Sequence, residues 1–215
     1  LYALSGYKGK NAAASATDHP PANLDPPPSS AILTLAAFHH PPPQRFPPPP
    51  FAPLAEGCRS MSPEARLAEL KLELPPAPKP GGVYAPVVIV DRLAFVSGHG
   101  PLRADGTMIT GKVGESLSES DAYLAARQVG LTMLATLRKE LGSLNRIERV
   151  VKVLGMVNAA PNFANHPQVI NGFSNLMVEI WGETHGRGAR SAVGMGSLPS
   201  HIAVEVEAVF LLKPA

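Results

Sequence analysis

"GRGARSAVGMGSLPSHIAVEVEAVF", residues 186–210, carries two strand signals around the turn Leu198-Pro199-Ser200. In the second, Ile202, Val204 and Val206 alternate with Ala203, Glu205 and Glu207. That period of two puts the first set on a buried sheet face and the second on the opposite face. The run continues as "AVFLL", apolar at every position, which is the pattern of a sheet covered on both sides. A second copy of the chain is the natural cover for the second side. In the first strand, Arg190 stands between small residues. Its guanidinium fork suits a carboxylate, which it can hold through two charge-assisted hydrogen bonds. A surface arginine or one paired with a neighbouring acid fits the same letters. Glu205 is open to two readings as well. It is a solvated strand residue, or it holds a water and moves protons where a neighbouring subunit closes that face. Glu207 shares the face, and periodicity does not rank the two.

Upstream of this stretch, the elements alternate. "HPQVINGFSNLMVEIWG" predicts an amphipathic helix with Pro167 near its start and a buried stripe of Ile170, Phe173, Met177 and Ile180 or Trp181. "RVVKVLGMV" before it is β-branched and strand-like. Ser118, with Asp121 three residues on, predicts the cap of a helix of about 23 residues that ends at Gly142. Its buried positions are Tyr123, Ala126, Gly130, Met133, Leu137 and Leu141. "YAPVVIV" and "LAFVSG" predict two short strands joined at Asp91-Arg92, and Asp105-Gly106 marks another turn. "MSPEARLAELKLEL" opens a helix with Ser62 as N-cap and Pro63 at the first helical position. The order is helix, then β-β-α-β-α-β-β: an α+β sheet of five or six strands with two long helices on one face.

Composition divides the chain in two. The 215 residues contain 24 prolines, of which 13 fall in residues 1–60, beside only four Lys/Arg and three Asp/Glu. That stretch lacks the apolar periodicity needed to offset the entropy of ordering it, and it reads as a proline-rich, disordered extension to a domain at 61–215. Three readings of the extension are open: a stretch upstream of a natural start at Met61, a disordered or transit-type tail, and a polyproline docking segment. The domain carries 15 basic and 14 acidic residues. So even a balance lacks the electrostatic footprint of a protein held by phosphates, and it argues against a nucleic-acid partner. The single cysteine, Cys58, excludes an intrachain disulfide. No apolar run approaches the roughly 18 residues of a membrane span. The expectation is a cytoplasmic protein, or an organellar one if residues 1–60 are a transit peptide. His99, His166, His185 and His201 are scattered without metal-ligand spacing, so no metal is expected.

Four segments in this order resemble the RidA family, also called YjgF or L-PSP endoribonuclease. They are "GGVYAPVVIVDRLAFVSGHGPL", "GKVGESLSESDAYLAARQVGLTMLATL", "RVVKVLGMVNAAPNFANHPQVINGFSNLMVEIWG" and "ARSAVGMGSLPSHIAVEVEAVF". The resemblance implies a chorismate-mutase-like α+β fold with a mixed sheet, assembled as a homotrimer with a ligand cleft at each subunit interface. It also implies hydrolysis of reactive enamines and 2-imino acids to 2-oxoacids and ammonia, without a cofactor.

Position by position, the resemblance places a substrate-binding arginine at Arg190 and a water-positioning glutamate at Glu205. It places further ligand contacts at Tyr84, Asn171, Ala192 and the turn Ser97-Gly98-His99. The "HP" of Asn165-His166-Pro167 and the longer segment "GETHGRGARS" depart from the family pattern, and so do two of the site positions. His99 stands where glutamine is usual, and Ala192 stands where a cysteine is usual, which removes thiol chemistry from the site. Such departures indicate a divergent subfamily. They also keep open an alternative function, a non-catalytic trimer that binds small carboxylates in a regulatory role.

Overall fold

The computed structural model describes residues 61–214. The proline-rich segment, Cys58 and the readings attached to them lie outside the described residues. Ser62 accepts a hydrogen bond from the Ala65 amide and caps a short helix, α1 (Pro63–Glu69). Further on, β1 (Val87–Val90) and β2 (Leu93–His99) pair antiparallel from Val90 opposite Leu93, so Asp91-Arg92 is a two-residue hairpin loop. Ser118 takes the Asp121 amide at the start of α2 (Glu119–Leu141), and Gly142 ends it in the left-handed conformation. β3 (Ile147–Asn158) follows, then α3 (His166–Gly186), β4 (Ala189–Met195) and β5 (Val204–Leu212).

The strands form one sheet in the order β1-β2-β5-β3-β4. All neighbours are antiparallel except β3 and β4, which run parallel with α3 as their crossover. Although β4 and β5 are consecutive in sequence, β3 lies between them. The Pro199–His201 turn that joins them is therefore no hairpin.

Strand alternation decides which side of the sheet is covered. Val96, Val150, Val153, Val157, Val204, Val206, Ala208 and Phe210 are buried with Met133 and Leu137 of α2 and with Ile170, Phe173 and Met177 of α3. Burying each such side chain contributes about 1.5–3 kcal/mol, so this layer supplies the main driving force for folding. A half-exposed bidentate pair joins the two helices, with Arg127 Nη1 and Nη2 donating to Glu179 at 2.8 and 2.7 Å. Among the described residues no helix covers the opposite side of the sheet. Phe95 remains 44 % exposed there and Val88 50 %, in line with Val209, Leu154 and Met156. Ala203 departs from the expected alternation. It precedes β5, its amide bonds to Ile109 O, and it is buried instead of sharing the face of Glu205. Among the described residues no helix is long and apolar enough to cross a membrane.

Candidate functional site

Arg190 lies opposite Val153 in the β3–β4 pairing, and Val153 is a core residue. Partners in register share a face, so Arg190 points to the helix-covered side of the sheet. Because β4 is an edge strand, the guanidinium can lean out along α3. Its Nη1 donates to Asn171 Oδ1 at 2.9 Å and to Ser174 Oγ at 3.0 Å, and its Nη2 reaches Pro167 O at 3.4 Å. These acceptors sit at i, i+4 and i+7 on one stripe of the helix. All three are neutral. Among the described residues no carboxylate pairs with Arg190, and burial is the cause that lowers its pKa. A guanidinium carries five N–H donors and stays charged at neutral pH. With Nη1 holding two acceptors, the Nε–H has no partner among the described residues and Nη2 makes only the long contact to Pro167 O. The Nε–Nη2 edge is one that matches a planar carboxylate. A cavity of about 420 Å³ adjoins this edge of the molecule, lined by Asn171, Ser174, Asn175, Arg187 and Arg190 among others.

Glu205 is opposite Met156 in the β3–β5 pairing and therefore lies on the other, uncovered side of the sheet. Its carboxylate rests against Gly98 on the neighbouring strand, where any Cβ would overlap it. Space for the carboxylate thus depends on the missing side chain. Partial burial pushes the Glu205 carboxyl above the ordinary carboxylate range, and the charge of Glu207 pushes it the same way. Tyr84, Gly98 and His99 line one cavity with Glu205, about 270 Å³ in volume, whose other walls include Pro86, Met108, Ser200 and Ile202.

The expected site residues therefore fall into separate groups. Tyr84 is half-exposed beside Glu205, its hydroxyl accepting the Gly81 amide at 3.2 Å. Asn171 is in contact with Arg190, and its Nδ2 is tethered to Gln168 Oε1 at 3.0 Å. Ala192 lies opposite Gly155, two residues along from Arg190 and on the same side. Ser97 donates to Ala85 O at 2.8 Å and borders a third depression on the uncovered sheet face, together with Phe95, Lys152 and Glu207. Arg190 and Glu205 themselves are on opposite sides of one sheet, with β3 between their strands.

His99, opposite the core residue Val206 in the β2–β5 pairing, is held inside the fold. It is 5 % exposed, with Nδ1 2.7 Å from Ser97 O and Nε2 2.8 Å from Thr136 Oγ1. The carbonyl can only accept, so Nδ1 carries the proton and Nε2 accepts from the threonine. Burial lowers its pKa and keeps the ring neutral. Its ring bridges β2 to α2. Sequence reasoning missed Ser174 and Thr136. The 167/171/174 spacing on a helix followed by an arginine strand is the signal that could have found Ser174; Thr136 had none.

The family model described as "YjgF/chorismate_mutase-like, putative endoribonuclease" matches residues 64–206, about two thirds of the chain and both Arg190 and Glu205. The chain belongs to the YjgF/chorismate-mutase-like family. Protein TCP17 of Trypanosoma cruzi is 39 % identical over 149 residues, covering 69 % of this chain and 93 % of that protein. Among solved structures, the protein Atu1372 of Agrobacterium tumefaciens, of unknown function, is 38 % identical with a TM-score of 0.64, covering 71 % of this chain and 94 % of its own. A Shewanella oneidensis protein described as a "putative endoribonuclease" is 30 % identical with a TM-score of 0.67, covering 71 % of this chain and all of its own. The family bears out the resemblance in the four segments and the mixed α+β fold. Each YjgF-type chain of this sequence thus presents one cationic half, built on α3 and β4, and one acidic half, built on β2 and β5. The first can hold an anion, and the second can hold and exchange a proton. Among the described residues no three His, Cys, Asp or Glu side chains gather where they could share a metal ion.

Proposed function

We propose that this protein is a hydrolytic deaminase of reactive enamines and 2-imino acids, releasing 2-oxoacids and ammonia in a cleft completed between copies of a homotrimer. One observation carries the reading: Arg190 is held by neutral acceptors alone, so its charge is available to a ligand carboxylate. A 2-imino acid bound there by its 1-carboxylate leaves C2 open to attack. Water is the nucleophile, and Glu205 takes one of its protons as the C–O bond forms. The resulting carbinolamine nitrogen gains a proton, the C–N bond breaks, and ammonia leaves a 2-oxoacid. Water supplies the oxygen and the protons, so the atoms balance without a further reactant. The substrate is already electrophilic, and orientation with one proton relay is the main demand on the protein. Burial, and after it the charge of Glu207, raises the Glu205 pKa, which makes the carboxylate a stronger base than an ordinary one.

Opposite faces of one sheet cannot present both groups to a small ligand. The reading therefore assigns Arg190, Asn171 and Ala192 of one copy and Tyr84, Gly98, His99 and Glu205 of another to each cleft. The sheet face that carries Val88 and Phe95, covered by no helix among the described residues, is the surface a trimer would cover. A trimer that binds small carboxylates without turnover has its own support, since the Arg190 half is complete in every chain. The deciding experiment generates imines from L-leucine with an amino-acid oxidase and follows 2-oxoacid release with and without the full chain. Faster release than in buffer is expected. A folded trimer that binds 2-oxoacids but gives no acceleration would replace the enzyme with the binding reading. RNA incubated in parallel is expected to remain intact.

A further inference from the structure

We propose that Ser174 is a positioning residue that fixes which edge of Arg190 meets the ligand. The inference rests on the reading of Arg190 as a carboxylate anchor and extends it to a residue outside the expected set. Asn171 Oδ1 and Ser174 Oγ both accept from Nη1, at 2.9 and 3.0 Å. Two acceptors on one nitrogen, a helical turn apart, define the plane of the guanidinium and not only the place of its tip. Nη1 is thereby withdrawn from ligand binding, and the Nε–Nη2 edge is turned outward. That edge offers two parallel N–H donors, the geometry that recognises a planar carboxylate in bidentate fashion. With Ser174 removed, Asn171 and the long 3.4 Å contact to Pro167 O would remain, and the fork could swing about them.

The test uses the full chain, with pyruvate as the carboxylate probe and pyruvamide as its uncharged counterpart. The Arg190 Nε–H signal in a nitrogen-15 spectrum is assigned by its loss in Arg190→Lys. In the parent protein, pyruvate should shift that signal saturably and pyruvamide should not. Ser174→Ala should weaken pyruvate binding about fivefold, the loss of one net hydrogen bond, and reduce the Nε–H shift at saturation. Ser174→Thr, which restores the hydroxyl, should return both. Alanine favours helix, so an unchanged Tm is expected and separates positioning from folding. Equal pyruvate affinity and equal Nε–H shift in Ser174→Ala and the parent would overturn the Ser174 proposal alone. Absence of any pyruvate effect in the parent would overturn it together with the anchor reading.

Discussion

The two halves of the candidate site are built by different means. Arg190 is held by hydrogen bonds: three acceptors on one stripe of α3 fix a charge that the helix itself does not neutralise. Glu205 is held by space. Among the described residues no donor reaches its carboxylate, which lies in the gap left by Gly98 and is discouraged from ionising by burial and by Glu207. A cation fixed by neutral partners is ready for an anion. A carboxylate left without partners is ready to change protonation state. The difference teaches that, on the proposed reading, the anchor is complete in one chain, whereas the group proposed to handle protons needs a second copy to close over it.

The largest expected effect breaks the comparison at the anchor. Arg190→Ala should lower kcat/KM for imine hydrolysis about a thousandfold, the loss of two charge-assisted hydrogen bonds, with little change in Tm. Trimers co-assembled from Arg190→Ala and Glu205→Gln chains then ask where the halves meet. If each cleft takes Arg190 from one copy and Glu205 from the next, about a quarter of the sites in an equal mixture are intact and activity returns. Persistently dead mixtures, with exchange of chains verified by mass, would mean that both groups act from the same chain.

Glu205→Gln comes next, with kcat reduced about a hundredfold and KM little affected. In the parent, kcat should fall as pH drops through the raised Glu205 pKa, above the ordinary glutamate value of 4.5, and this acid limb should vanish in the variant. Stability should move in the opposite sense. A carboxyl whose folded pKa is raised contributes most below its unfolded pKa and loses that contribution as pH rises through the folded value. Glu205→Gln should therefore raise Tm at neutral pH and lose the gain in acid.

His99→Ala tests the bridge beside Glu205. It leaves Ser97 O and the Thr136 hydroxyl unpaired around a new cavity, and should cost about 2–3 kcal/mol by urea unfolding. Because burial lowers the His99 pKa, its contribution is present above the unfolded value of 6.5 and lost as pH falls below it. The parent's loss of Tm below that pH should be smaller in the variant. The smallest effect is expected for Gly98→Ala. The added methyl displaces the Glu205 carboxylate and should lower kcat about tenfold, leaving pyruvate binding at Arg190 unchanged. An equal loss of binding would show that the two halves are not independent.

Much of the fold was legible in local signals. Ser118, Asp121 and Gly142 mark both ends of α2 because caps satisfy backbone groups that the helix leaves open. The Asp91-Arg92 hairpin and the alternation of β5 follow equally local rules. Legibility failed at Ala203, where a buried loop residue continues a strand pattern before the strand begins. It failed again at Ser174, whose role depends on an arginine sixteen residues away. At His99, the resemblance located the turn, but only Thr136 on α2 shows that the ring bridges two elements.

The sequence by itself determined the order of elements, the buried stripes of α3 and, except for the half-exposed Tyr123, of α2, the faces of β5 and the family frame in which Arg190 and Glu205 stand out. The first three are consequences of periodicity and capping, which act over a few residues; the family frame comes from the resemblance of the four segments. Tertiary structure decided that β3 separates β4 from β5, which puts Arg190 and Glu205 on opposite sides of the sheet. It also decided that α3 supplies the acceptors and Gly98 the space. The physical reason is that side-chain alternation orients residues within one strand, whereas strand order and register, set by packing of the whole sheet on its helices, orient strands relative to one another.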